Sequence, residues 1–237
     1  HFKGVDIWRL YELSWLNSQG VPQTAVAELF VPASTHSIVE SKSLKLYAGS
    51  FAMTQMGSQE EVANRMSDDL SLRLGGTVKV KLFSIQNYPG QVKTMPGLSL
   101  DHLTLPAGGE ISTYETEPGL LEFDPHSSEI IQKTFSTTVF RSLCPVTGQP
   151  DLASVMINYK GRAISPEGLL KYLVSYRCHK GFHEQCVEQI YHDMRTVFQP
   201  ELLEVYACFT RRGGIDINPF RSSVREQPDE VIREMRQ

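Results

Sequence analysis

The sequence predicts an α+β fold built as two modules, and three of its features carry that expectation. Segments with apolar residues at every second position occur in both halves of the chain, as half-buried strands require. Segments with apolar residues at about every fourth position follow them, as amphipathic helices require. Between the two sets lies residues 88–119, a stretch rich in Pro, Gly, Ser and Thr with no sustained period. A chain of 237 residues has room for two modules of about 100 to 120 residues, each with its own core.

In chain order, residues 24–31 alternate in polarity, follow the turn signal Gly20-Val21-Pro22 and stop at Pro32, so a strand is expected there. Glu40-Ser41-Lys42-Ser43-Leu44-Lys45-Leu46-Tyr47 alternates less cleanly and predicts no element. Val62, Met66, Leu70 and Leu74 mark a helix over residues 59–75, ended by Gly75-Gly76. Residues 77–83 read as a strand with one wet face. The low-period stretch then sets the module boundary, giving modules 1–118 and 119–237. In the second module, residues 152–160 form a strand candidate, and Ser165-Pro166-Glu167 starts a helix with a Ser cap and Pro in the first turn. Phe182, Cys186, Ile190, Met194 and Val197 trace a second helix ending near Pro200, and residues 203–210 make a final strand. Each half mixes strands with helices, which suggests a pseudo-repeat.

Charge and composition narrow the function. With 23 Lys+Arg against 27 Asp+Glu the net charge is -4, so the broad basic surplus of a non-specific nucleic-acid binder is absent. The hydrophobic content is 41%, ordinary for a globular protein, and no apolar run approaches the ~20 residues of a bilayer span, so a soluble protein is expected. The four cysteines, Cys144, Cys178, Cys186 and Cys208, lack the spacing of a small disulfide framework, which favours free thiols in a reducing cytosol. The chain begins His1-Phe2-Lys3 without an initiator Met or a targeting signal, so a longer natural start is expected.

Three segments hold residues suited to chemistry. Cys144 lies in the turn-rich string Ser142-Leu143-Cys144-Pro145-Val146-Thr147-Gly148-Gln149-Pro150-Asp151. A thiol there can be reached by substrate, and Asp151 can serve as a general acid. A small buried Cys and a turn Asp fit the same string. His183-Glu184 opens the second helix of the second half, where Glu184 can accept two N–H bonds from a guanine-like edge, or can simply be a solvated acid at a helix start. Cys178, His179, His183 and Cys186 do not have the spacing of common structural zinc sites. Arg211-Arg212-Gly213-Gly214 follows a strand and offers two guanidinium groups beside a glycine pair, for phosphate capture or as an ordinary surface turn. No Rossmann or Walker signature is present.

Taken together, the E-S-K-S-L-K-x-Y string at residues 40–47, Cys144 with Asp151, Phe182-His183-Glu184-Gln185-Cys186 and Arg211-Arg212-Gly213-Gly214 resemble one family, the NADPH-dependent 7-cyano-7-deazaguanine reductases of queuosine biosynthesis in their long two-module form. Asp6-Ile7-Trp8 and Tyr11-Glu12-Leu13-Ser14-Trp15-Leu16-Asn17 extend the likeness, which runs to Arg221. It implies tandem tunnelling-fold modules, antiparallel sheets with helices on one face, whose sites lie at module interfaces. It also implies a cytoplasmic homodimer that acts on the free base, with no direct contact to nucleic acid or membrane.

The reaction so implied is a four-electron reduction of a nitrile to a primary amine. Cys144 would form a thioimide, Asp151 would protonate the nitrogen, and His183 would serve both catalysis and binding. Val39, Glu40, Ser41, His183 and Glu184 would hold 7-cyano-7-deazaguanine; Ser41, Lys42, Arg212 and Gly213 would hold NADPH; no metal is implied. Two other readings are a GTP-cyclohydrolase-like enzyme, with Cys178, His179 and Cys186 as metal ligands, and a non-catalytic module that binds deazapurines or modified tRNA.

Overall fold

A long antiparallel hairpin opens each half of the chain, and in both a bulge keeps the apolar residues on one face. The computed structural model describes residues 1–237. They form one unit of Gly4–Gln91 with Arg211–Ile217, and another of His1–Lys3, Val92–Thr210 and Asn218–Gln237.

In the first unit β1 (Lys3–Leu16) pairs with β2 (Pro22–Pro32). Trp8, Leu10, Leu13 and Trp15 of β1 share one core cluster with Ala25, Ala27, Leu29 and Val31 of β2. Leu10 and Leu13 are three apart, so an unbroken strand would send them to opposite faces. One extra residue in β1 between the pairs Leu10↔Ala27 and Leu13↔Ala25 corrects the phase. The chain continues through α1 (Ser41–Ser50), α2 (Gln59–Leu74) and β3 (Lys79–Phe83), which pairs antiparallel with β2. Helix α2 has the expected form: Val62, Met66, Leu70 and Leu74 are buried, Ser58 caps its start by accepting from Glu61 N–H, and Gly75 ends it at φ 72°.

Residues 211–217 belong to this unit through the bulge. Tyr11 N–H donates to the Gly214 carbonyl at 2.9 Å, and Tyr11 O–H donates to Asp216 Oδ2 at 2.6 Å. Arg9 Nη1 lies 3.4 Å from Asp216 Oδ1 with both side chains buried.

In the second unit β4 (Leu98–Ser99) lies parallel to β5 (Ile130–Leu143), and β5, β6 (Pro150–Arg162) and β7 (Leu202–Phe209) pair antiparallel in that order. Residues 220–222 of β8 (Ile215–Ser222) pair with β7. A second one-residue bulge, between Thr137 and Phe140 of β5, puts Phe135 and Phe140 on one face with Val155, Ile157, Val205 and Ala207. Helices α3 (Pro166–Ser175) and α4 (His183–Phe198) cover that face with Leu169, Leu173, Ile190 and Met194. Ser165 caps α3 as expected, accepting from Gly168 N–H at 3.0 Å. The order of hairpin, two helices and return strand occurs in both units, and the mixed, mainly antiparallel architecture agrees with the α+β expectation.

The units part at Gln91/Val92, not after residue 118. Residues 92–118 look like a linker by composition, yet Leu100 is fully buried and Leu98–Ser99 is a strand. Part of this stretch packs against the β5 bulge. A bulge disrupts the ladder locally, and the Asp101 carboxylate takes up Thr138 N–H at 2.9 Å together with the Thr137 and Thr138 hydroxyls.

The polar side of β6 and β7 is held by a buried carboxylate. Glu204 accepts from Arg225 at 2.6 and 2.7 Å, from Asn158 at 3.0 Å and from Ser222 at 3.0 Å. Burial pushes its pKa up, but these bonds outweigh that and hold it below the ordinary carboxylate range. No helix is long and apolar enough to cross a membrane.

Candidate active site

Strand pairing builds the first half of the site. Ser142 lies opposite Asp151 and Leu143 opposite Pro150, so Asp151 stands on the strand facing the end of β5, two residues before Cys144. The connecting turn is closed at both ends: Cys144 N–H donates to Gln149 O and Gly148 N–H to Cys144 O, each at 2.8 Å. Gly148 adopts φ 70°, which favours glycine there. Cys144 is partly buried. Burial pushes its thiol up, but the Thr147 hydroxyl and the N–H groups of Thr147 and Val146 donate to the sulfur and bring it below the ordinary thiol value, against the charge of Asp151.

The start of α4 supplies the other half. Leu143 N–H donates to His179 O at 2.8 Å and Gly181 N–H to Leu143 O at 3.2 Å, which ties the segment before α4 to the end of β5. His183 Nε2 then comes within 3.3 Å of Asp151 Oδ2. Its ring stacks on Phe209 with centroids 3.8 Å apart and planes 6° from parallel, so it is fixed in orientation. Nδ1 is buried and has no partner in the chain. With Nε2–H directed at Asp151, the neutral ring presents Nδ1 as an acceptor for a ligand N–H.

Glu184, the second residue of α4, is only 3% exposed, so it is not a solvated helix-start acid. The helix is anchored by Asp193, which accepts from Tyr172 O–H and Gln189 Nε2, each at 2.6 Å.

The other thiols have different environments. Cys186 is fully buried and burial pushes its thiol up to about 12. Cys208 is buried as well, and Cys178 is exposed. No three His, Cys, Asp or Glu side chains are placed to hold a metal, which removes the structural basis for Cys178, His179 and Cys186 as ligands. His179 Nδ1 is instead 3.1 Å from Thr116 Oγ1.

A second constellation lies within the first unit. The string at residues 40–47 forms most of α1, with Glu40 as its N-cap: Oε1 accepts from Lys42 N–H at 2.9 Å, and Oε2 from Ser43 N–H and Oγ at 2.7 Å. The Ser43 hydroxyl is the largest influence holding Glu40 below the ordinary carboxylate range. Ser41 and Lys42 are exposed in the first turn, and Val39 is half-buried against the core.

The glycine pair is a tight turn. Arg212 and Ile215 exchange backbone bonds at 2.9 and 3.2 Å, while Gly213 and Gly214 adopt φ 60° and 79°, the φ signs of a type I′ turn. A Cβ on Gly213 would fall 2.9 Å from Lys45 Nζ. Arg211 lies over the Tyr11 ring at 4.8 Å. The structure therefore brings Lys45 to the turn, a residue that its sequence position did not single out. Its spacing of three from Lys42, which puts both on one helix face, was the available signal. Lys42, Lys45, Arg211 and Arg212 are exposed cations beside bare glycine backbone, a donor set that fits the phosphates of a dinucleotide.

Two family models match the chain: "Nitrile reductase, 7-cyano-7-deazaguanine-reductase N-term" over residues 1–82 and "QueF-like protein" over residues 150–228. Proteins named NADPH-dependent 7-cyano-7-deazaguanine reductase from Burkholderia mallei and Burkholderia thailandensis are 47% and 46% identical over 237 residues, covering 100% of this chain and 85% of each relative. A solved structure titled as the archaeosine synthase QueF-Like in the apo form aligns with 40% of this chain and 92% of its own at 19% identity and a TM-score of 0.35, a likeness too slight to support an argument. Identity at this level over the whole length is a statement of kinship, and the chain belongs to the NADPH-dependent 7-cyano-7-deazaguanine reductase family.

Proposed function

We propose that this chain reduces the nitrile of 7-cyano-7-deazaguanine to an aminomethyl group in queuosine biosynthesis, through a thioimide on Cys144. The observation that carries the mechanism is the β5–β6 hairpin, which holds Cys144 in its turn and Asp151 beside it, with His183 at the start of α4 3.3 Å from the Asp151 carboxylate. The Cys144 thiolate forms a C–S bond to the nitrile carbon, and one π pair of the C≡N bond moves to nitrogen. The Asp151 carboxylate takes the proton that the Cys144 thiol gives up as it becomes the thiolate and delivers it to this nitrogen, so the product is a neutral thioimide. Covalent capture replaces a carbon that accepts hydride poorly with an activated, imine-like one. Bound NADPH supplies the reducing equivalents, two hydrides per nitrile. His183 holds Asp151 in place through Nε2, and its buried Nδ1 accepts from the base.

Glu184 accepts from the donor-rich edge of the base. Glu184 is buried, so a base that lacks these donors matches its carboxylate poorly and binds more weakly. Val39, Glu40 and Ser41 belong to the substrate in the same reading, Glu40 through lone pairs that its cap bonds leave. Glu184→Gln, measured by calorimetry on a Cys144→Ala background, is expected to weaken the base about tenfold or more, because the amide turns a donor toward the ligand's N–H groups. Equal affinities would give Glu184 no part in recognition.

Ser41, Lys42, Arg212 and Gly213 hold NADPH in this reading, with Lys45 added by the geometry at Gly213. An Arg fork suits a ribose 2′-phosphate better than a Lys point charge does. Arg212→Ala is expected to raise KM for NADPH about tenfold or more with little change for NADH, since a charge-assisted bond contributes about 1.5–3 kcal/mol. Lys42→Ala is expected to weaken both cofactors alike, as a contact to the shared pyrophosphate does. Steady-state kinetics with each cofactor checks this, and an unchanged preference in Arg212→Ala places 2′-phosphate recognition elsewhere.

The tandem tunnelling-fold assignment, one module in each half of the chain, is supported by the repeated order of hairpin, two helices and strand. Assembly as a homodimer, action on the free base without nucleic acid, and a cytoplasmic setting complete the proposal, in keeping with the net charge of -4. The direct test of the whole is intact-mass analysis after adding the nitrile: a Cys144 adduct supports the reading, and turnover with no adduct under any trapping condition removes the thioimide.

A further inference from the structure

The bulge in β1 does more than restore the core face. Tyr11 and Glu12 are the two residues that stand opposite Val26, between the pairs Leu10↔Ala27 and Leu13↔Ala25, and a bulge re-aims the side chains it carries. Both meet the glycine turn. Tyr11 N–H donates to the Gly214 carbonyl at 2.9 Å, within the turn itself. Its O–H donates to Asp216 Oδ2 at 2.6 Å, on the limb that leaves the turn, and its ring lies 4.8 Å from the Arg211 guanidinium, on the limb that enters it. A Cβ on Gly214 would fall 2.6 Å from Glu12 Cδ, so the second bulge residue lies against the turn as well. The acid that Tyr11 grips is itself fixed. Arg9 Nη1 lies 3.4 Å from Asp216 Oδ1, Arg9 Nε lies 3.6 Å from Glu28, and Tyr88 O–H donates to Glu28 at 2.9 Å.

We propose that Tyr11 is a positioning residue for the cofactor: by gripping both limbs of the glycine turn it keeps the Arg212–Gly213 backbone and the plane of the Arg211 guanidinium in the one arrangement that NADPH meets. The physical reason is the glycine pair. Glycine gains the most freedom when nothing restrains it, so a turn built on Gly213 and Gly214 keeps one shape only if its neighbours hold it. An Arg stacked on an aromatic face also keeps its N–H edge available to a phosphate. When the hold is lost, apparent affinity falls in proportion to the fraction of the time that the turn has the competent shape. This rests on the reading of Arg212 and Gly213 as NADPH residues, but the hold on the turn can be measured without cofactor.

The test uses the full chain as wild type, Tyr11→Phe and Tyr11→Leu, with Arg212→Ala as the reference for the cofactor site. Tyr11→Phe keeps the ring and loses the bond to Asp216, whereas Tyr11→Leu loses both side-chain contacts. Tyr11 is half-buried, and the phenylalanine variant, which removes one oxygen, keeps the test decisive should the leucine variant fail to fold. Hydrogen–deuterium exchange of residues 211–217 without ligand reads the turn, calorimetry with NADPH alone reads the cofactor site, and calorimetry with 7-cyano-7-deazaguanine on a Cys144→Ala background reads the base site. Exchange is expected to quicken in both Tyr11 variants, and the Kd for NADPH to rise about threefold in Tyr11→Phe and about tenfold in Tyr11→Leu, with the affinity for the base unchanged. Wild-type exchange in both variants overturns the proposal, and so does a loss of base affinity equal to the loss for NADPH, which a merely structural role would produce. Faster exchange with NADPH affinity intact in the Tyr11 variants but weakened in Arg212→Ala overturns the role of Tyr11 toward the cofactor. Faster exchange with NADPH affinity intact in all three variants upholds the hold on the turn and overturns the assignment of NADPH to it instead.

Discussion

Cys144→Ala is expected to abolish the covalent adduct and to lower turnover by about 10³-fold or more, while 7-cyano-7-deazaguanine still binds. The size of the effect follows from what the sulfur does: without it, hydride must add to an unactivated nitrile. Binding persists because the recognition groups sit on other elements. Glu184 and His183 belong to α4, which is anchored through Asp193 and through Phe209 stacking, not through the thiol. Intact mass reports the adduct, single-turnover kinetics reports the rate, and calorimetry reports affinity. An alanine variant that reduces the nitrile at near wild-type rate would falsify covalent catalysis at this position. Cys186 is no substitute, since its thiol is buried and pushed up to about 12.

Asp151→Asn carries the second largest expectation, a fall in kcat of about 10²-fold or more, within the range for loss of a positioned acid. The amide is nearly isosteric and its oxygen can still accept from His183 Nε2, so the ring keeps its place on Phe209. What the amide cannot do is deliver a proton to the nitrile nitrogen. Affinity for the base on a Cys144→Ala background is therefore expected to change little. Unchanged turnover would take Asp151 out of the mechanism, and losses that appear in affinity alone would make it a binding residue.

Reading such a chain unaided succeeds where one periodicity runs unbroken. Helices α2, α3 and α4 and strands β2, β6 and β7 were legible because each buries one stripe or carries clear end signals such as Ser165-Pro166 and Gly75. Strands β1 and β5 were not, because each changes phase at a bulge, between Leu10 and Leu13 and between Thr137 and Phe140. β8 is buried at every position and shows no alternation, and α1 buries only Leu44, too little for a stripe. Asp101 lies in the stretch that looks like a linker, and nothing in its neighbourhood announces a partner 36 positions away.

The chemistry divides in the same way. Sequence alone determined which residue types stand at Cys144, Asp151, His183 and Glu184, and those identities decide what reactions are open. It could not decide between a reactive and an inert cysteine, a solvated and a buried glutamate, or a loose and a tight glycine pair. Those depend on neighbours brought in by hydrogen-bonded pairing and helix packing. Pairing of Ser142 with Asp151 sets the acid by the turn, the tie of Leu143 to His179 and Gly181 brings His183 to that acid, and the backbone bonds between Cys144 and Gln149 and between Gly148 and Cys144 close the turn that carries the thiol. Burial, orientation and pKa are properties of an environment, and only the folded chain supplies one.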